Sequence, residues 1–274
     1  MNKKLLIWCS DAPNQMALAG KIAKKYTLSG IVIEKKKPGS SKNNFFQLPA
    51  KLWDRIRFRS IYTAWKKLLE FYKKEISGWP AVPILEVESI NSIEAAEFSK
   101  RLSPDLIIVS GTRLIKEPLL SIPAGIGIVN LHTGLSPYVK GGPNCTNWCI
   151  ANNDWHLVGN TIMWINAGID TGNIITTESI DIWESKTLYD AHKMVMDHAH
   201  ELYLKTIEYL LTSKPPHNSV GQSSLAKGKT YYTKMWTSKK KSELLFNWDK
   251  RKNVLMKPAP QTVSLPAFNQ LNDE

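Results

Sequence analysis

Residues 103–132, SPDLIIVSGTRLIKEPLLSIPAGIGIVNLH, decide the fold. Pro104 punctuates the entry to Asp105–Ser110, whose DLIIVS core has no polar alternation, the pattern of a strand buried on both faces. A helical segment around Glu117–Leu120 follows, then a second short apolar run, Gly127–His132. Moving outward, further strands are expected at Lys4–Cys9, Gly30–Ile33 and Val82–Val87, with helices at Pro13–Lys25 and Ser92–Leu102. Asn91-Ser92 ahead of Ile93-Glu94 marks a helix start with a carboxylate in the first turn, where it favours the helix dipole. Short strands alternating with helices give an α/β class, a Rossmann-like, mainly parallel sheet flanked by helices.

Residues 34–80 interrupt this rhythm. EKKKPGSSKNN (34–44) reads as a loop, and LPAKLWDRIRFRSIYTAWKKLLEFYKKEI (48–76) as a helical arm with Leu52, Ile56, Ile61, Trp65, Leu68 and Leu69 near helical spacing. A Trp and Leu stripe outside a minimal core would leave an exposed patch on a monomer, so a homodimer is expected. A long helix from about Lys186 to Leu211 ends before Pro215 and Pro216. The expected organisation is a catalytic domain at 1–213, carrying the 34–80 arm, and a short basic C-terminal extension at 214–274. Within it, GKTYYTKMWTSKKK (228–241) fits a β-hairpin packed on the main domain or an RNA contact through interleaved aromatics and lysines.

The 274 residues have 43% hydrophobic and 22% charged content, which argues against a disordered or fibrous chain. The apolar run Leu5–Cys9 is too short for a signal peptide, and no segment approaches a membrane span. Three cysteines, an odd count without a C-x-x-C pair, suit a reducing cytoplasm. The net charge of +12, clustered at 34–42, 65–74 and 227–251, can attract anionic partners or simply solvate exposed faces. Neither a dinucleotide fingerprint nor a P-loop follows the first strand. His198 and His200 beside Asp197 lack the i, i+3 or i+4 spacing of helical metal ligands and read as a surface helix, so no metal is expected. Cys149 reads as core and Cys145 as a pocket neighbour; Trp148, Trp155 and Trp164 read as core packing.

The chemistry lies in GIGIVNLHTGLSPYVKGGPNCTNWCIANND (125–154) and GNTIMWINAGIDTGNIITTE (159–178). Asn130 and His132, two apart at a strand end, project from one face, where open α/β sheets bind ligands. The segment from Gly134 to Pro143 is dense in Gly and Pro, either to approach a ligand or as an ordinary connecting loop. Ala167–Gly172 is a turn between two apolar runs with Asp170 at its tip. An amide, an imidazole and a carboxylate suit acyl transfer: Asn130 to stabilise an oxyanion, His132 to donate a hydrogen bond or move a proton, Asp170 to orient the imidazole or receive the amine's proton.

VNLH at 129–132, Leu135 and Pro137, KG at 140–141 and IDTG at 169–172 together resemble the folate-dependent formyltransferases that act on glycinamide ribonucleotide, methionyl-tRNA or amino sugars. The resemblance covers most of residues 80–180 and implies 10-formyltetrahydrofolate as formyl donor. It implies catalytic roles for Asn130, His132 and Asp170, and folate contacts from Arg113, Leu114, Ile115, Gly141, Gly142 and Ile169. The chain departs from the family pattern at Gly134, where serine is usual, at Ser136, where leucine or tyrosine is usual, and at Lys140, where arginine is commoner.

A methionyl-tRNA enzyme would be expected to carry a C-terminal domain of roughly 80–100 residues, and the glycinamide ribonucleotide enzyme lacks a 34–80 arm. The expected acceptor is therefore the amine of a nucleotide-linked amino sugar, a small molecule rather than a nucleic acid, its diphosphate served by positive charge. Methionyl-tRNA or another small amine is the alternative within the family. A non-catalytic RNA-binding module is the alternative from another class.

Overall fold

The unalternated apolar runs become the middle of the sheet. The computed structural model describes residues 3–35, 48–253 and 263–266. Strands β1 (Leu5–Ser10), β2 (Leu28–Glu34), β3 (Ile84–Val87), β4 (Leu106–Ser110) and β5 (Gly127–His132) are parallel. After the short β6 (Val139–Gly141), strands β7 (Gly159–Trp164) and β8 (Ile174–Ser179) extend the sheet antiparallel, in the order β3-β2-β1-β4-β5-β7-β8. Every residue of β4 is buried, as its composition requires.

Period-two alternation divides the core. Leu5, Ile7 and Cys9 face α1 (Pro13–Ala23), while Leu6 and Trp8 face the opposite layer. The helical arm is two helices, α2 (Leu48–Arg57) and α3 (Arg59–Glu75), joined at the buried Phe58. α4 (Ile93–Leu102) starts at Ser92, whose hydroxyl accepts from Ala95 N at 3.2 Å, and buries Ala95, Ala96 and Phe98. α5 (Cys145–Asn152) follows β6, and α6 (Leu188–Thr212) runs across the α1 face with a capping box at Thr187 and Asp190. Each fully buried Leu or Ile contributes roughly 1.5–3 kcal/mol over exposure, so the two apolar layers dominate the stability.

Three expectations change. His200 is not on a surface helix: α6 covers the sheet, His200 is fully buried with Nδ1 3.4 Å from Lys21 Nζ, and His198 reaches Glu178 Oε2 at 2.8 Å. Residues 228–241 form no hairpin; β9 (Lys229–Tyr231) pairs in parallel with β6, and α7 (Ser238–Lys250) then starts behind the Thr237 cap. Lysine spacing concealed this helix, which buries Leu244 and Trp248 beside Trp148 of α5. The arm's stripe is also divided. Ile61, Ala64, Leu68 and Tyr72 are buried, whereas Leu52, Trp53 and Ile56 are exposed. Most of the expected 34–44 loop and of the basic tail beyond Asn253 lies outside the described residues. Among those described, no helix is long and apolar enough to cross a membrane, and no group of three His, Cys, Asp or Glu side chains could hold a metal.

Tyr203 of α6 ties β4 to β5 one residue before Asn130. Its hydroxyl accepts from Val109 N at 3.0 Å and lies 2.8 Å from Val129 O. Tyr203→Phe strands a buried backbone N–H and is expected to lower unfolding stability by roughly 1–3 kcal/mol; an unchanged urea midpoint would contradict this role.

Candidate active site

β5 delivers Asn130 and His132 to the carboxyl edge of the parallel strands. The turn after β7 curls back to bring Asp170 to them. Asn166 shapes that turn, its Oδ1 accepting from Gly168 N at 3.0 Å and Thr171 Oγ1 at 2.8 Å. Asp170 has φ 50°, in the left-handed region that most non-glycine residues avoid and that Asp and Asn tolerate best.

The Asp170 carboxylate is the meeting point. Oδ2 lies 3.3 Å from His132 Nδ1 and accepts from Gly141 N at 3.0 Å; Oδ1 is 3.5 Å from Asn130 Nδ2. The second imidazole nitrogen, Nε2, faces the Val139 carbonyl at 3.0 Å and the Cys145 sulfur at 3.6 Å. Both ring nitrogens thus face acceptors, an arrangement that a doubly protonated ring satisfies. Burial opposes the charge, but Asp170, Cys145 and the Val139 carbonyl outweigh it and raise His132 to about 10. The geometry thus favours an imidazolium paired with the Asp170 carboxylate and orienting it. The Asn130 amide has two N–H donors, so its weak contact with Asp170 leaves one for a substrate oxygen.

A cleft of about 770 Å³ opens beside this trio. Arg113, Leu114, Ile115, Gly141, Gly142 and Ile169 all line it, as do Asn130, His132 and Asp170, so the structure brings every residue singled out for the site to one cavity. The Arg113 loop is fixed from below: the buried Glu34 carboxylate accepts from Arg113 N and Ile90 N, each at 3.0 Å. Trp164, expected in the core, packs against it but also lines the cleft, while Trp148 is buried. Asn14, Gln15 and Trp65 complete walls that sequence reasoning did not assign, and the Asn14 Oδ1 and Gln15 Oε1 atoms are buried without a protein partner. Their only signal in the sequence is polarity at the start of a helix that follows β1.

Gly134, the departure from serine, has a local cause. A Cβ there would lie 2.5 Å from His132 Nε2 and 2.9 Å from Cys145 Sγ. The Val139 carbonyl is also 2.9 Å away, so the imidazole, the sulfur and the backbone together leave no room for a side chain at Gly134.

The family model for formyl transferase matches residues 34–207. The chain belongs to the formyl transferase family. Methionyl-tRNA formyltransferase from Clostridium tetani is 34% identical over 148 residues, covering 53% of this chain and 47% of that protein. The corresponding Geobacter sulfurreducens protein is 30% identical over 134 residues, 48% of this chain and 41% of that one. This family member thus spans about half the length of the curated relatives it matches. Among solved structures, phosphoribosylglycinamide formyltransferase from Bacillus halodurans has a TM-score of 0.54 at 22% identity, covering 78% of this chain and 99% of that one. A sugar N-formyltransferase from a Shewanella species has a TM-score of 0.55 at 16% identity, covering 89% and 87%. These likenesses establish the formyltransferase fold.

At His132, a cation favoured by folding stabilises the protein fully below the ordinary histidine value of 6.5, and that stabilisation is lost as pH rises through about 10. Nitrogen NMR of the imidazole should therefore show both ring nitrogens protonated at neutral pH; a neutral ring titrating near 6.5 would contradict the charged pair.

Proposed function

We propose that this chain is an N-formyltransferase that moves the formyl group of 10-formyltetrahydrofolate to the amine of a nucleotide-linked amino sugar. The observation that carries the transfer chemistry is the Asn130–His132–Asp170 constellation at the wall of a cleft large enough for a folate head group and an acceptor. Arg113, Leu114 and Ile115 on one loop, with Gly141, Gly142 and Ile169, would hold the folate. The acceptor arrives as an ammonium and docks against Asp170, which takes its proton. The freed amine attacks the formyl carbon and the developing oxyanion meets an Asn130 N–H; the attacking nitrogen then gives up its second proton, folate N10 gains one as its bond to the formyl carbon breaks, and the proton first taken by Asp170 is released to solvent. His132, tied at both nitrogens, holds the carboxylate and its charge in place throughout.

Support for a sugar nucleotide comes from the cleft rim. Trp65 and Tyr232 are 39% and 47% exposed there and offer faces for a sugar or a base. Arg113, on the loop assigned to the folate, is the one lysine or arginine lining the cleft among the described residues, so the cleft wall itself offers the acceptor's phosphates no second cation. The 34% identity to a methionyl-tRNA formyltransferase favours a second reading, with aminoacylated tRNA as acceptor. An acceptor screen separates them. With 10-formyltetrahydrofolate as donor, amino-sugar nucleotides should gain one formyl group by mass and charged methionyl-tRNA should not; formylation of the tRNA at equal or greater kcat/KM would overturn the sugar reading.

The exposed Leu52, Trp53 and Ile56 of α2 also support a homodimer, because three large apolar side chains on about one turn are a costly surface for a monomer. Light scattering should return twice the chain mass of 31.0 kDa at micromolar concentration; a monomer throughout that range would remove the dimer.

A further inference from the structure

The segment after α6 reaches back into the site. Val220 exchanges both backbone hydrogen bonds with Ile174 of β8 at 2.8 Å, which fixes the next residues against the Asp170 turn. Two residues on, Gln222 is 7% exposed, and its Nε2 lies 2.8 Å from the carbonyl of Asp170 and 2.8 Å from that of Gly172, with Met163 Sδ at 3.7 Å. One amide nitrogen thus gives its two N–H donors to two carbonyls that flank Thr171. The same segment then pairs β9 with β6, and Gly142 N donates to Tyr231 O at 3.0 Å. A side chain at Gly141 would collide with the Tyr231 carbonyl. Residues 220–231 therefore hold both loops that meet at Asp170: the turn that carries it and the strand whose Gly141 N–H it accepts.

We propose that Gln222 is a positioning residue for the catalytic pair, its amide locking the Asp170 turn so that the carboxylate stays on His132 and Gly141. This rests on the formyl-transfer reading for its consequence in catalysis, but its geometric content stands apart from it. The turn needs such a lock. Asp170 occupies a left-handed conformation, and the Gln222 amide donates to its carbonyl and to that of Gly172. A neutral amide suits the place. It supplies two donors without introducing a cation that would compete with His132 for the carboxylate 170 itself carries. The Gln222 Oε1 atom is buried without a protein partner, which marks the N–H side as the functional end of the amide.

Gln222→Met keeps the length and removes the donors. The readout is the titration of His132, followed by nitrogen NMR, together with turnover of 10-formyltetrahydrofolate and an amino-sugar nucleotide. If the amide places Asp170 against the imidazole, Gln222→Met lowers the His132 midpoint by about one pH unit or more, since an opposite charge within a few ångströms is worth that much. It also lowers kcat by about tenfold or more, with the folate KM changed far less. In an Asp170→Asn background the same substitution should shift neither, because its effect passes through the carboxylate. Gln222→Leu, also without donors and without charge, repeats the test if the methionine variant is recovered unfolded. A lower melting temperature with an unmoved His132 midpoint, or equal shifts in both backgrounds, would overturn the proposal and leave Gln222 a structural residue. A moved midpoint with unchanged turnover would instead contradict the catalytic reading of Asp170 while leaving the positioning role standing.

Discussion

The site depends on one partly buried carboxylate. Asp170 sits within hydrogen-bond range of Gly141 N, His132 Nδ1 and, at the limit, Asn130 Nδ2, and these come from a loop strand, a sheet strand end and an amide beside it. None of these groups is held in place by the sheet alone. The parallel strands bring Asn130 and His132 to an edge, the antiparallel pair β7 and β8 turns the chain back on itself, and the left-handed Asp170 backbone aims its side chain inward. An ion pair buried this way is costly to break, because removing either partner leaves an uncompensated charge. That cost is a reason for the surrounding elements, from Gly134 to Gln222, to be fitted to it.

Much of the frame was legible in the sequence because burial on both faces removes polar residues from a strand. The five parallel strands fall within about two residues of their expected limits, and Ser92 caps its helix as its position implied. The failures have particular causes. α7 has lysines at successive positions in its first turn, which hide the helix that goes on to bury Leu244 and Trp248, so residues 228–241 read as a hairpin packed on the main domain or as an RNA contact. His200 looked like a surface residue because its neighbours His198 and Asp197 are polar, yet a helix of 25 residues across a sheet must bury one stripe whatever its composition. The break at Phe58 could not be read either, since apolar spacing continues through it in helical register.

The site was legible where chemistry constrains residue type and illegible where only backbone is held. Asn130, His132 and Asp170 stand out through the resemblance of VNLH at 129–132 and IDTG at 169–172 to the family pattern, their residue types and spacing alone being common. Gln222 does not, because it binds carbonyls that every residue possesses, some fifty positions away in the chain. Glu34, which ties Arg113 N and Ile90 N, escapes for the same reason. Gly134, a departure from the family pattern, is crowded by His132 Nε2, Cys145 Sγ and the Val139 carbonyl, a crowding that spacing alone does not reveal.

The central claim is that Asp170, held by the His132 imidazolium, receives the acceptor's proton. The most direct test is the pH dependence of turnover in Asp170→Asn, which preserves shape and removes the negative charge. The account predicts a kcat lower by about 10² or more near neutral pH, partly restored as pH rises and free amine becomes more abundant. A variant that turned over at the unaltered rate, with an unchanged pH profile, would contradict it.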